Sequence, residues 1–141
     1  GASVKITNIP GYLPMRSDPV LQDLFLGNAS ELVGRERVIV MEDRRNRGGS
    51  TDMGDVSHLM PVIHPYVGGA MGIGHGANYL IKDWQNVVLN AAKGMAFTVV
   101  DLLTEGAGHA QEIQARHKAR MTKQEYLSFM RGLLNEESYE E

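Results

Sequence analysis

The segment Gly48-Gly49-Ser50-Thr51-Asp52-Met53-Gly54-Asp55-Val56-Ser57 puts small residues, hydroxyls and two carboxylates into one short stretch. Glycine lets a backbone approach a ligand closely. Serine and threonine offer hydrogen bonds, and aspartate accepts them or orients a metal-bound histidine. The same residue types also build ordinary turns with Asx and Ser caps that feed a helix, and composition alone favours that plainer reading. His75 lies among glycines, with little bulk to keep its imidazole from a metal. A single loop histidine, taken alone, is more often a surface residue. His58 and His64 are six positions apart, a spacing that fits neither one helical face nor a zinc-ligand pair. His109 and His117 fall in a polar helical stretch and are expected to be solvated. Arg44, Arg45 and Arg47 could grip a carboxylate through paired N–H groups, although so short a charge run reads first as a solvated loop.

Bulk properties narrow the classes. The chain has 141 residues, enough for one domain with its own core. A net charge of −3 gives no footprint for nucleic acid or an anionic membrane as partner. There is no cysteine, so any metal site must use His, Asp or Glu, the donors of catalytic rather than thiolate-caged centres. This also fits a cytoplasmic location. The longest apolar-rich segment, Val87 to Leu103, is interrupted by Asn90, Lys93, Thr98 and Asp101, so no membrane span is expected. The first residues lack a basic segment followed by an apolar core, so no leader is expected. Gly1-Ala2-Ser3 carries no structural weight in this reading.

The elements that must position these residues follow from punctuation and periodicity. Val4, Ile6 and Ile9 form an extended stretch that ends at Pro10-Gly11. Asp18-Pro19 opens a helix with an apolar stripe at Leu21, Leu24, Phe25, Ala29, Leu32 and Val33, closed by Gly34. Val38-Ile39-Val40-Met41 is a β-branched run that reads as a buried strand of a sheet covered on both faces. Glu42 to Asp55 is a polar loop. Val56 to Val67 reads as a helical turn leading into a strand at Val62-Ile63-His64. A glycine-rich stretch runs from Gly68 to Gly76. Asp83 caps a second helix whose wide apolar face includes Val87, Val88, Ala91, Ala92, Met95, Val99, Leu102 and Leu103. Gly106 and Gly108 break it. Thr122 and Glu125 have capping-box spacing, with Tyr126, Phe129, Met130, Leu133 and Leu134 following at helical intervals. The acidic end, Glu136 to Glu141, is expected to fray.

Read together, four stretches resemble the aminoacylase/carboxypeptidase family of zinc hydrolases. They are Gly11-Tyr12-Leu13-Pro14, the string from Gly49 through Ser57 to His58-Leu59-Met60-Pro61, Ile63-His64-Pro65-Tyr66-Val67-Gly68-Gly69, and the glycine-flanked His75. The nearest branch is that of the aminobenzoyl-glutamate utilisation proteins, and the resemblance runs from about Val4 to Leu103. It implies an α/β fold. Residues 1–14 would end a lid domain and start the return crossing. Residues 15–104 would form the C-terminal part of an α/β/α catalytic domain, and 105–141 a helical tail.

The resemblance implies hydrolysis of the amide bond of an N-acyl or N-aroyl amino acid, with two zinc (or manganese) ions activating water and a glutamate as general base. It places the last metal ligand at His75. Ser50, Thr51, Asp52, Asp55 and His64 would contact substrate or support the ligands, with Thr51 standing where the family more often has glutamate. The family's His-x-Asp string is absent from this sequence, and its Glu-Glu pairs occur only in the terminal tail. No catalytic residue is therefore assigned here. The fragment is expected to be inactive and to hold little or no metal alone, and a homo-oligomer is expected. The competing reading is a noncatalytic module that binds a small anion through backbone N–H groups or associates with itself.

Overall fold

The computed structural model describes residues 1–40 and 50–140. The Arg44, Arg45 and Arg47 cluster and Gly48-Gly49 lie outside the described residues. The architecture is mixed α/β, about half helical, with small antiparallel sheets. It divides into two units that interleave in sequence. One comprises Gly1–Arg16, Gly49–Met60 and Lys118–Glu141, and the other Ser17–Gly48 and Pro61–His117.

The first unit contains strand β1 (Ser3–Asn8), the single turn α2 (Met53–Val56), helix α5 (Lys123–Leu133) and strand β4 (Asn135–Glu140). The capping box forms as its spacing predicts. The Thr122 amide donates to Glu125 Oε2 at 2.7 Å, and the Glu125 amide donates to Thr122 Oγ1 at 3.2 Å. The Thr122 backbone N–H, then its hydroxyl, hold the Glu125 carboxyl below its ordinary range. The acidic end does not fray. Asn135–Glu140 pairs antiparallel with β1, Ser3 opposite Glu140 and Asn8 opposite Asn135. Composition gives no hint of this, because the pairing depends on β1 offering an edge, with Lys5 Nζ 2.8 Å from Glu136 Oε2 across the ladder.

The second unit is built on helix α1 (Pro19–Val33), strands β2 (Ala70–Met71) and β3 (Leu80–Ile81), and helices α3 (Ala91–Leu103) and α4 (Gly108–Arg116). Asp18 Oδ1 accepts the Val20 and Leu21 amides, both at 3.0 Å. Gly34, at φ 89°, ends α1 and donates to the Ser30 carbonyl. A π-helical turn, Gln85–Asn90, leads into α3, and Asp83 Oδ1 caps it through the Asn86 amide at 2.9 Å. Gly106, at φ 72°, breaks the chain between α3 and α4, whereas Gly108 is the first residue of α4.

Helices α1 and α3 meet where α3 carries no side-chain bulk. A Cβ on Gly94 would sit 3.2 Å from the Phe25 ring. Asn28 Nδ2 donates to Asp101 Oδ2 at 2.6 Å and to the Leu24 carbonyl at 3.1 Å, and the Thr98 hydroxyl donates to the Gly94 carbonyl at 2.8 Å. These bonds satisfy three polar groups at the helix pair.

Two expectations fail in this unit. Val38–Val40 is not a strand, and Ile39 is 81% exposed. The chain leaves the short 3₁₀ turn Arg35–Arg37 with Arg35 Nη1 bonded to the Val38 carbonyl, and no strand among the described residues pairs with it. Val62-Ile63-His64 also forms no ladder. The Val62 carbonyl instead accepts the Asp18 amide at 2.8 Å, and Val62 is buried. Among the described residues, Val62 and Ile113 are the only buried apolar side chains outside glycine. The π turn and α3 together make a 19-residue helix, Gln85–Leu103, long and apolar enough by length and composition to cross a membrane. Asn90, Thr98 and Asp101 interrupt the apolar run in sequence, but each is satisfied by a bond to a nearby helical group or to Asn28.

Candidate functional site

The string Ser50 to Ser57 folds as a tight turn entering α2. Thr51 Oγ1 accepts the Met53 amide at 3.4 Å and lies 3.4 Å from Asp52 Oδ1, while the Gly54 amide donates to the Thr51 carbonyl at 2.9 Å. Asp52 stands at the helix start without a side-chain cap bond and is exposed, as is Ser50. Beyond this lip, side chains of the string hold distant main chain. Asp55 Oδ1 accepts the Leu13 amide at 2.8 Å, 42 positions away. Ser57, 5% exposed, accepts the Arg16 amide at 3.0 Å and donates to the Gly54 carbonyl. His58 Nε2 lies 3.0 Å from the Pro14 carbonyl, and since a carbonyl only accepts, that nitrogen carries the proton. The His58 Nδ1 atom is shielded from solvent and has no hydrogen-bond partner.

Gly54 makes the clasp possible. It is buried, and a Cβ there would overlap the Leu13 carbonyl oxygen, with the Leu13 carbonyl carbon at 3.0 Å. Two stretches far apart in sequence therefore meet backbone to backbone at a position where only glycine fits. From the other side, the His58 carbonyl accepts the Arg120 amide at 3.0 Å. Tyr126 on α5 also reaches Asp55. Burial raises the Tyr126 phenol above its ordinary value near 10.0, and hydrogen bonding to the Asp55 carboxylate and that group's charge push the same way.

The folded state thus prefers the neutral phenol. Its contribution is complete below pH 10 and is lost as pH rises through the higher folded value. The thermal midpoint of the natural chain is expected to drop above about pH 10. Tyr126→Phe, which cannot ionise, should show a shallower drop over the same interval. Superimposable alkaline profiles would remove Tyr126 from the clasp.

His64 and His75 belong to the second unit. His64 is half-buried, its ring edge-on to Tyr66 with centroids 5.1 Å apart. His75 is exposed in the loop joining β2 to β3, at φ 64° in the left-handed region, which few residues other than glycine adopt. The Gly76 amide closes the turn onto the Ile73 carbonyl at 2.8 Å. The base of this hairpin is tied to the π turn: Asn86 Nδ2 donates to the Gly68 carbonyl at 2.7 Å, and the Gly69 carbonyl accepts the Lys82 and Asp83 amides. In the helical stretch, His109 is exposed as expected. His117 is not fully solvated: its Nε2 is shielded and has no hydrogen-bond partner.

Among the described residues, no three His, Asp or Glu side chains gather where they could hold a metal ion. A zinc site takes four donors, and His75 supplies one, so the described residues do not by themselves fit a metal centre. The structure brings together Asp55, Ser57, His58 and Tyr126. Sequence reading includes Ser57 among the hydroxyls of the string without assigning it a partner, treats His58 as a mismatched ligand and places Tyr126 in an apolar stripe. Their partners are largely main-chain groups, which leave no signature in a sequence. No family model, curated protein or solved structure matches this chain.

Proposed function

We propose that this chain is the C-terminal part of a metal-dependent amidohydrolase cleaving the amide bond of N-acyl or N-aroyl amino acids, of the aminobenzoyl-glutamate utilisation type, and that it is inactive alone. One observation carries the reading. The two motif stretches with the most distinctive sequence, Gly11 to Pro14 and Ser50 to His58, pack on each other through Asp55–Leu13 and His58–Pro14. Each unusual residue of the string then has a physical task. Gly54 permits the approach, Asp55, Ser57 and His58 fix the main chain, and Ser50, Thr51 and Asp52 are left at the lip for substrate or for a neighbouring ligand. His75 remains the candidate metal ligand on its glycine turn. No step is assigned to zinc or manganese, because the other donors would have to come from outside the described residues. The substrate would be the N-acyl or N-aroyl amino acid, its carboxylate a partner for the Arg44, Arg45 and Arg47 cluster.

The test has two arms. The purified 141-residue chain, supplied with zinc or manganese, is expected to show no turnover of aminobenzoyl-glutamate or of simple N-acyl amino acids. The coding sequence upstream is expected to continue in frame with His-x-Asp and Glu-Glu strings, and the longer product to hydrolyse such amides. Metal-dependent turnover by the short chain, or an upstream frame without those strings, would overturn the proposal.

A further inference from the structure

Helix α5 carries a cleft to which the hydrolase reading gives no task. This open depression of about 390 Å³ is lined by Lys123, Gln124, Leu127, Ser128 and Arg131. Helical spacing explains the lining. Residues four apart share a face, so Lys123, Leu127 and Arg131 stand in one row and Gln124 and Ser128 in a second row beside it. Leu127, 37% exposed, is the apolar member, midway between the two cations.

The two cations are not neutralised by other described residues. The ion pairs of this structure join Lys5 to Glu136 and Arg116 to Glu112, and neither Lys123 nor Arg131 takes part in one. Glu125, the one acid on α5, lies about 200° around the axis from Lys123. Its carboxylate is already engaged by the Thr122 amide at 2.7 Å. Lys118 and Arg120, both exposed, stand just ahead of the helix, where the Arg120 amide is anchored on the His58 carbonyl. They add to the same positive potential. The chain as a whole carries a net charge of −3, so this face reverses the overall sign.

The lining matches a phosphomonoester. Such a group carries a charge of about −1.5 to −2 at neutral pH and three strong acceptor oxygens. The cleft offers two cations and two neutral donors. Arg131 can present paired N–H groups and Lys123 a compact charge, while the Ser128 hydroxyl and the Gln124 amide supply the neutral bonds. A single carboxylate, with one charge and two oxygens, would leave one of the cations unmatched. The volume falls in the range of about 300 to 1,000 Å³ typical of small-molecule sites, which leaves room beside the phosphate for an organic group. Leu127 gives that group an apolar surface.

We propose that the cleft on α5 binds a small phosphomonoester, its phosphate held by Lys123 and Arg131 and its organic group resting on Leu127. The lining comes wholly from α5, so the site does not depend on the hydrolase reading, and either can fail without the other.

The test uses phenyl phosphate titrated into the full chain, followed by amide NMR. Binding is expected with a Kd on the order of 1 mM at low salt, since exposed ion pairs are individually weak. The signals that move should be those of Lys123 to Arg131. Inorganic phosphate, which lacks the ring, should bind on the order of fivefold more weakly, and Leu127→Ser should bring phenyl phosphate down to that level. Lys123→Gln combined with Arg131→Gln should weaken phenyl phosphate on the order of tenfold, whereas Lys93→Gln on α3 should leave it unchanged. These positions are exposed, and circular dichroism should show the helices intact. If the double variant does not fold, the two single variants are read instead, each expected to weaken binding. Absence of saturable shifts well above the expected Kd overturns the proposal, as does affinity that survives loss of both cations. Benzoate binding as tightly as phenyl phosphate overturns the choice of phosphate, and equal affinity for inorganic phosphate overturns the role of Leu127. Vesicles containing phosphatidic acid present the same headgroup. Co-sedimentation of the chain with them, without binding of phenyl phosphate, overturns the assignment to a small molecule.

Discussion

Gly54→Ala is expected to destabilise the chain by about 3 kcal/mol. The added methyl would overlap the Leu13 carbonyl oxygen, and its neighbour is main chain, which cannot rotate away as a side chain can. Relief requires the turn to move off Gly11–Pro14, which pulls Asp55 from the Leu13 amide and Ser57 from the Arg16 amide. Several buried polar groups would lose partners together. Urea unfolding followed by the circular dichroism of the helices would register the loss as a lower midpoint. Gly27→Ala is the matched control. It lies within α1 with open space where its Cβ would be, and should gain up to about 1 kcal/mol from helix propensity alone. Equal midpoints for Gly54→Ala and the natural chain would mean that the clasp does not form.

Gly94→Leu is expected to cost about 2 kcal/mol, and Gly94→Ala far less. The Phe25 ring edge lies 3.2 Å from the Cβ position, and a side-chain ring can yield a few tenths of an ångström. Alanine also favours the helix by up to about 1 kcal/mol over glycine, which offsets much of the crowding. Leucine adds a branched side chain that has to displace Phe25 and Leu32 together and lengthens the Asn28–Asp101 bond. The variants therefore separate packing from propensity at one position. If the two midpoints coincide, α1 and α3 are not in contact there.

Local punctuation was legible in the sequence because its chemistry is local. Asp18-Pro19, Gly34, Asp83 and the Thr122/Glu125 pair each satisfy backbone groups within a few positions, and each does what its spacing predicts. Strand readings fared worse. Val38–Val40 has β-branched composition but no partner among the described residues, and a strand is stable only against another edge. Asn135–Glu140 has the opposite profile, acidic and poor in strand-forming residues, yet it has a partner in β1. The site shows the same division. The string Ser50 to Ser57 stood out for its residue types, but what Asp55, Ser57 and His58 grasp is backbone. Backbone at Leu13, Pro14 and Arg16 has no letter in the sequence that announces it.

The ladder between β1 and β4 bears on the order in which the chain can assemble. Its pairings span sequence separations from 127 (135 − 8, Asn8 with Asn135) to 137 (140 − 3, Ser3 with Glu140). Until other contacts shorten the intervening loop, bringing such distant segments together carries the largest loop-closure entropy of any pairing among the described residues. A two-stranded ribbon with all twelve residues exposed offers little to offset that entropy. The hydrogen bonds of this ribbon are therefore the last to form during folding and the first to open when the native state fluctuates. The α1–α3 pair and the capped α5, whose contacts are nearer in sequence or wholly local, form ahead of it.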